Sequence, residues 1–275
     1  MISSHMLYCE CMEYGIVIRL GVFLGLFIIF ASAEALRPRR PRLYGRSQRW
    51  LTNLSITLLN TAVLRLMAIG LPLLAVGAAL DAGQKGWGLF NHLYWPAWVE
   101  VALSILILDF AIWAQHLVTH KVPILWRLHR VHHADRDMDV TTAVRFHPIE
   151  VALSMGLKIG LVYLLGPSAL AVILFEILLN GTALFNHSNI RLPTAVDAVL
   201  RQIIVTPDMH RVHHSVLRRE HDSNYGFALS IWDRLIGTYV AQPEAGHDDM
   251  TVGLEWQDDR PTKLGWSLAL PFRRK

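Results

Sequence analysis

Cysteine is nearly missing from this chain. Its two copies, Cys9 and Cys11, stand too close together for an ordinary disulfide framework and are too few for an iron–sulfur cluster or a cysteine-rich zinc site. A redox cofactor held by thiolates is therefore not expected. Charge is scarce as well: 17% of the 275 residues are charged against 53% hydrophobic. The mean hydropathy of +0.33 exceeds that of an ordinary soluble domain. The formal charge of +4 gathers beside apolar stretches and not in an aromatic-interleaved stripe on a polar domain. That favours a membrane surface as the basic residues' partner and speaks against nucleic acid. Internal repeats, low-complexity tracts and a His-Glu-x-x-His motif are all absent.

Long apolar runs are what the chain has instead. Residues 15–36 suffice to cross a hydrocarbon core of about 30 Å at roughly 1.5 Å per residue. A cleaved signal would have a shorter apolar core and a small-residue cleavage site, so this run is read as a retained helix. Arg37, Arg39, Arg40, Arg42, Arg46 and Arg49 follow it and mark the cytoplasmic side by the positive-inside rule. Residues 54–80 read as a second crossing, with Arg65 and Pro72 as costly members expected to face the bundle. Trp87, Tyr94 and Trp95 suit an interfacial loop, and residues 97–114 return the chain inward. Residues 149–165 and 168–185 are two apolar halves divided by Gly166 and Pro167, which predicts a helical hairpin that returns the chain to its starting side. The expected fold is all-α: one domain over 1–275, a polytopic transmembrane bundle of about three spans plus that hairpin, under a cytoplasmic histidine-rich cap.

Nine of the 14 histidines fall in two short windows, 116–135 and 207–222. His116 and His120, four apart, project from one helix face and can grip one ion through neutral imidazoles. His129, His132 and His133 spread around rather more than a quarter of a helix, so two metals could share that wall. The pentapeptide His-Arg-Val-His-His recurs at 210–214, presenting His210, His213 and His214. Two copies of one metal-binding turn, joined by a hairpin, suit a near-symmetric two-metal centre. His187, just past the last apolar run, is placed to bridge or complete it. A lone histidine at a membrane surface is more often a structural donor than a ligand. Eight in a repeating pattern reverse that preference, because each buried imidazole without a metal would need its own partner.

Weaker candidates surround this set. His147 reads equally as a substrate contact, an outer partner of a ligand, or a helix-start hydrogen bond, and His221 as an outer partner or a solvated residue. His5, His92 and His247 are expected in water or at the interface. Asp109 and Glu176 would either orient a ligand histidine or pair with Arg65 or Lys158. For Asp208 and Asp233, helix capping competes with the same orienting role. Beyond the metal centre itself no separate catalytic residue is expected.

The chain resembles the fatty acid hydroxylase and sterol desaturase superfamily, integral membrane di-iron enzymes marked by three histidine boxes. The resemblance rests on His116 and His120, on His129, His132 and His133, and on Asn186-His187-Ser188-Asn189. It continues through His210, His213 and His214 to Asn224-Tyr225-Gly226 and Trp232 to Tyr239, spanning about 108–239. It implies two iron ions held by nine histidines, O2 as co-substrate, and hydroxylation or desaturation of a lipid drawn from the membrane. Some members have a further histidine four before the middle one; here that position is Ala183. No heme-binding domain or ferredoxin-like cysteine pattern is present, so electrons would come from a separate protein, with Arg211, Arg218 and Arg219 facing either that partner or anionic headgroups. A pocket between the inner helix ends would take the apolar substrate. Two alternatives stand beside this reading. A zinc-dependent membrane hydrolase would use fewer ligands. A metal transporter or sensor would carry its ligands near the bilayer midplane.

Overall fold

A computed structural model describes residues 4–70 and 74–273, and, of side chains, all of these except residues 4–14, 16 and 70. Cys9, Cys11, His5 and Pro72 therefore lie outside the described side chains. Helices dominate: α1 Ser4–Leu36, α2 Arg46–Gly70, α3 Ala75–Lys85, α4 Ala97–Lys121, α5 Pro123–His133, α6 Pro148–Leu165 and α7 Ala169–His187. Short helices α8 Thr194–Leu200, α9 Pro207–His213, α10 Arg218–His221 and α11 Ile231–Ile236 follow in the polar part. No strand longer than an isolated bridge occurs among the described residues.

Five helices, α1, α2, α4, α6 and α7, are long and apolar enough to cross a membrane. Only 6% of the apolar window of α1 is buried inside the protein, against 39% of that of α7. The difference makes α7 the central staff, packed on α1 and α4, and leaves most of α1 for lipid. These five are the three spans and the hairpin the sequence predicts. The alternation of spans returns the ends of α4 and α7 to the side on which the arginine block lies.

The second crossing differs from expectation. The run 54–80 is not one helix: α2 ends at Gly70 and α3 starts again at Ala75. With 11 residues α3 covers only about 16 Å, too short to span. Its Ala75, Val76, Ala78 and Ala79 instead pack against Val162 of α6 and Val172 and Ile173 of α7. Arg65 is exposed on α2 and does not face the bundle; its long side chain can reach toward the interface.

The α6–α7 turn is held by local chemistry. Gly166 ends α6 at φ 67, the left-handed region that favours glycine. A Cβ there would lie 2.5 Å from the Trp87 carbonyl oxygen. Ser168 then caps α7 by accepting from Ala171 N at 3.2 Å.

A buried ionic knot joins α2 to the segment after α5. Arg49 is 2% exposed; its Nε and Nη2 each donate to Asp135 at 2.8 Å and its Nη1 donates to Asp139 at 2.7 Å. Burial alone would raise the Asp135 carboxyl, but Arg49 beside it holds it well below the usual carboxylate range. Asn53 and Thr142 donate to the same Asp135, and Arg145 reaches from behind to the Val131 carbonyl of α5. Arg49 is thus a structural cation, not a surface topology signal.

Candidate metal centre

All nine histidines singled out from the sequence are buried and fall into two groups. His116, His120, His129, His133 and His213 form one; His132, His187, His210 and His214 form the other. Within each group the candidate ligand nitrogens lie within 4.8 Å of one another. Helix geometry explains the sorting. On α4, His116 and His120 are four apart and share a face, as do His129 and His133 on α5, while His132 points to the other group. On α9 and its C-cap the assignment is exchanged: His210 and His214 join the four-histidine group and His213 the five-histidine group. The repeated pentapeptide therefore sends its outer pair to one group and its middle histidine to the other, in opposite senses in its two copies.

Local sequence places each helix. Pro123 opens α5 one residue after α4 ends, folding His129 back under His116. Thr206 caps α9 by accepting from Met209 N at 3.4 Å, with Pro207 at the first helical position.

The imidazoles are arranged to use Nε2. His116 Nδ1 donates to the Tyr225 carbonyl at 2.7 Å, His213 Nδ1 to the Ser223 carbonyl at 2.6 Å and His187 Nδ1 to the Ala183 carbonyl at 2.8 Å. His129 Nδ1 donates to Glu150 Oε1 at 2.6 Å. With their Nδ1 protons engaged, His116 and His129 turn bare Nε2 lone pairs toward each other at 3.0 Å. Two lone pairs so placed repel unless a cation sits between them, and ligands about 2.1 Å from one ion at right angles are about 3.0 Å apart. In the other group, His187 Nε2 lies 3.1 Å from the Nε2 of both His132 and His210. Both nitrogens of His133 and of His214 are buried with no hydrogen-bond partner among the described residues. Burial first, and neighbouring imidazoles second, hold His132, His133, His210 and His214 well below the ordinary imidazole value. Neutral, desolvated and unpartnered nitrogens in two clusters fit metal ions.

The turn after α10 is built to present carbonyls. Asp233 accepts from Tyr225 N at 2.9 Å, Gly226 N at 2.8 Å, Thr238 Oγ1 at 2.7 Å and Trp113 Nε1 at 3.0 Å. Asn224, at φ 50, donates to the carbonyls of Met209 and Val240. A Cβ on Gly226 would meet the Leu229 carbonyl oxygen at 2.8 Å. The stretch from Asn224 to Tyr239 thus aims the Tyr225 carbonyl at His116.

The remaining candidates divide. His147 caps α6, its Nδ1 accepting from Ile149 N at 3.2 Å. His221 lies against Trp126 with ring centroids 5.2 Å apart, outside both groups. His92 is exposed. His247 is buried instead of solvated; burial lowers it to about 4, while Asp208 at 3.8 Å pulls the other way. Asp109 accepts from Trp232 Nε1 and Leu229 N, and Glu176 from Lys158 and Arg19, so neither orients a histidine. Asp208 pairs with Arg211 and Arg39, and its partner Arg211 is 1% exposed, which removes it from any docking surface. Arg218 and Arg219 are exposed.

Sequence reasoning missed Glu150. It follows the Pro148 that opens α6 and is 7% exposed, but it is 21 positions from His129 and nothing in the sequence joins the two.

An apolar cavity of about 510 Å³ reaches the five-histidine group at His116 and His129. Phe23, Leu64, Ile112, Phe146, Met155 and Phe227 are among its walls, drawn from the spans and from the segments beside the centre.

Comparison with known proteins adds an independent line. The fatty acid hydroxylase family profile matches residues 101–238. The chain is 28% identical over 262 residues to the ornithine lipid hydroxylase OlsE of Rhizobium tropici, covering 92% of this chain and 75% of that protein. It is 34% identical over 154 residues to the alkylglycerol monooxygenase of Xenopus tropicalis, covering 54% of this chain and 32% of that one. With the fatty acid hydroxylase vlmA of a Lecanicillium species it is 30% identical over 195 residues, 66% of this chain and 53% of that one. It thus spans most of the first relative, about half of the third and only about a third of the second. No solved structure matches it.

Proposed function

The chain belongs to the fatty acid hydroxylase family, and from that premise we propose that it is a membrane-bound di-iron enzyme that hydroxylates or desaturates a lipid. The observation that carries the reading is an apolar cavity, opening among membrane spans, that reaches the five-histidine member of two adjacent buried histidine groups. A protein that only stored or sensed a metal would need no such cavity, and one zinc ion with three protein ligands and a water would use fewer than half of the nine histidines. Transport is disfavoured because the groups lie at one end of the spans, away from the midplane.

Aliphatic C–H bonds resist acid and base catalysis. Iron held by these imidazoles would supply, with O2 and two electrons, an oxidant strong enough to cleave one. In hydroxylation one oxygen atom goes to the lipid and the other leaves as water with two protons. The chain's own residues do the placing. His116, His120, His129, His133 and His213 hold one ion and His132, His187, His210 and His214 the other. Glu150 and the carbonyls of Tyr225, Ser223 and Ala183 fix ring tautomer and direction. Phe146, stacked on His132 with centroids 4.3 Å apart, and Phe227 line the cavity wall beside the centre and keep water from it. The centre faces the cytoplasm with the arginine block, a separate protein delivers the electrons, and residues 1–275 act as one domain around the core at 108–239.

The test is isotopic. Membranes containing the protein, given a reductant system and 18O2, are expected to yield a lipid carrying one 18O atom or a new double bond, with O2 consumed in step. Lipid turnover without O2 consumption, with oxygen from water in the product, would return the hydrolase.

A further inference from the structure

A second cavity, of about 570 Å³, reaches the five-histidine group at His120 and shares no lining residue with the apolar one. It differs in charge: the first balances Arg19 and Lys158 with Glu150 and Glu176, and the second has an excess of cations. Lys121, Arg127, Arg130, Arg218 and Arg273 line it, against the carboxylates of Asp222 and Glu255. Asp222 is already engaged by Lys121 at 2.9 Å and Arg218 at 3.4 Å. Among the described residues no ion pair engages Arg127, Arg130 or Arg273.

Arg130 is the telling member. It is 4% exposed, its Nη2 donates only to the Leu270 and Arg273 carbonyls, and its Nε is buried without a partner among the described residues. The Glu255 carboxylate acts on it only from beyond ion-pair distance, and the Trp256 ring lies 5.6 Å from its guanidinium; a guanidinium taken out of water without a direct ion pair is costly unless an anion joins it. The cavity lies where α4 leaves its span at Lys121, which is headgroup depth, and its cations stand beside the apolar walls of Pro123, Trp126, Val216 and Leu254. We propose that this cavity binds the phosphate headgroup of a membrane lipid, with guanidinium groups on the phosphate oxygens and the glycerol carbons against Trp126. The site rests on the lipid-oxygenase reading for the source of the phosphate and holds that headgroup beside His120, apart from the apolar cavity.

Binding alone tests it, without turnover, so this proposal and the oxygenase reading can fail separately. Full-length protein in detergent is titrated calorimetrically with dihexanoyl phosphatidic acid, with dihexanoylglycerol of the same chains, and with inorganic phosphate. Phosphatidic acid is expected to bind at least about tenfold more tightly than the neutral lipid and than free phosphate. An Arg127→Gln, Arg218→Gln double variant, which changes two exposed side chains and spares the buried Arg130, should weaken that binding by about fivefold or more. Equal affinity for the charged and neutral lipids overturns the site, as does a double variant that binds like the parent. Free phosphate binding as tightly as the lipid overturns the lipid source.

Discussion

The five- and four-histidine groups draw on the same repeated pentapeptide, yet they differ in what stands behind the rings. In the larger group three of five imidazoles have Nδ1 fixed, by Tyr225 O, Ser223 O and Glu150, and His120 Nδ1 lies 3.6 Å from Asp222. In the smaller only His187 is fixed, while Nδ1 of His132, His210 and His214 has no partner among the described residues. The origin of the inequality is visible on the spans. His116 and His120 sit four apart on α4, and the matching position four before His187 on α7 is Ala183, whose carbonyl takes the ring N–H. One group is therefore richer in ligands and better braced, and the proposed ion in the smaller group should be the more easily lost.

The largest expected effect removes the contrast altogether. Arg49→Met leaves Asp135 and Asp139 buried without their cation, at a cost of about 3–5 kcal/mol. Because the knot anchors α5, which serves both groups, both ions should be lost together, as read by metal content and thermal unfolding. Next comes the contrast itself. His187→Ala reduces four donors to three and is expected to weaken the smaller site by about 100-fold or more, whereas His120→Ala leaves four donors and about two ions per chain. Equal losses in a chelator titration would break the comparison. Glu150→Gln should weaken the larger site alone by about 10- to 100-fold, since only His129 loses its carboxylate.

Acid offers a subtler handle. His132, His133, His210, His213 and His214 all have folded values below their unfolded ones. Protons therefore favour the unfolded, metal-free chain, and stability present above about pH 6.5 is lost as pH falls below it. Metal release on acidification should begin below about pH 6.5 and start in the smaller group. The smallest effect expected is from Ala183→His, which restores the missing donor at a packing cost of about 1–3 kcal/mol. It should slow chelation of the smaller group and leave the larger unchanged.

How much of this was legible in the sequence follows from what each feature is made of. The nine histidines could be read because their spacing is local: four apart on a helix, and one pentapeptide written twice. Gly166 and Pro167 announced the hairpin for the same reason. The partition into five and four was not legible, because it depends on how α5 and α9 face one another across the hairpin. Nor were the braces. Any residue can offer the carbonyl that Tyr225 and Ser223 present, and Glu150 meets His129 only through tertiary packing. Arg49 looked like part of a basic topology signal until its two buried aspartates appeared, and the division of α2 from α3 had a signal in Pro72, which falls between Gly70 and Ala75 but was weighed only as a costly member of one span.

Metal content of the purified full-length protein, expressed with iron and compared with His187→Ala and with a His116→Ala, His120→Ala, His129→Ala variant, tests the central claim most directly. The account predicts two irons per chain in the parent and about one in each variant. One ion in the parent, or zinc in place of iron, or the same loss whichever group is altered, would contradict it.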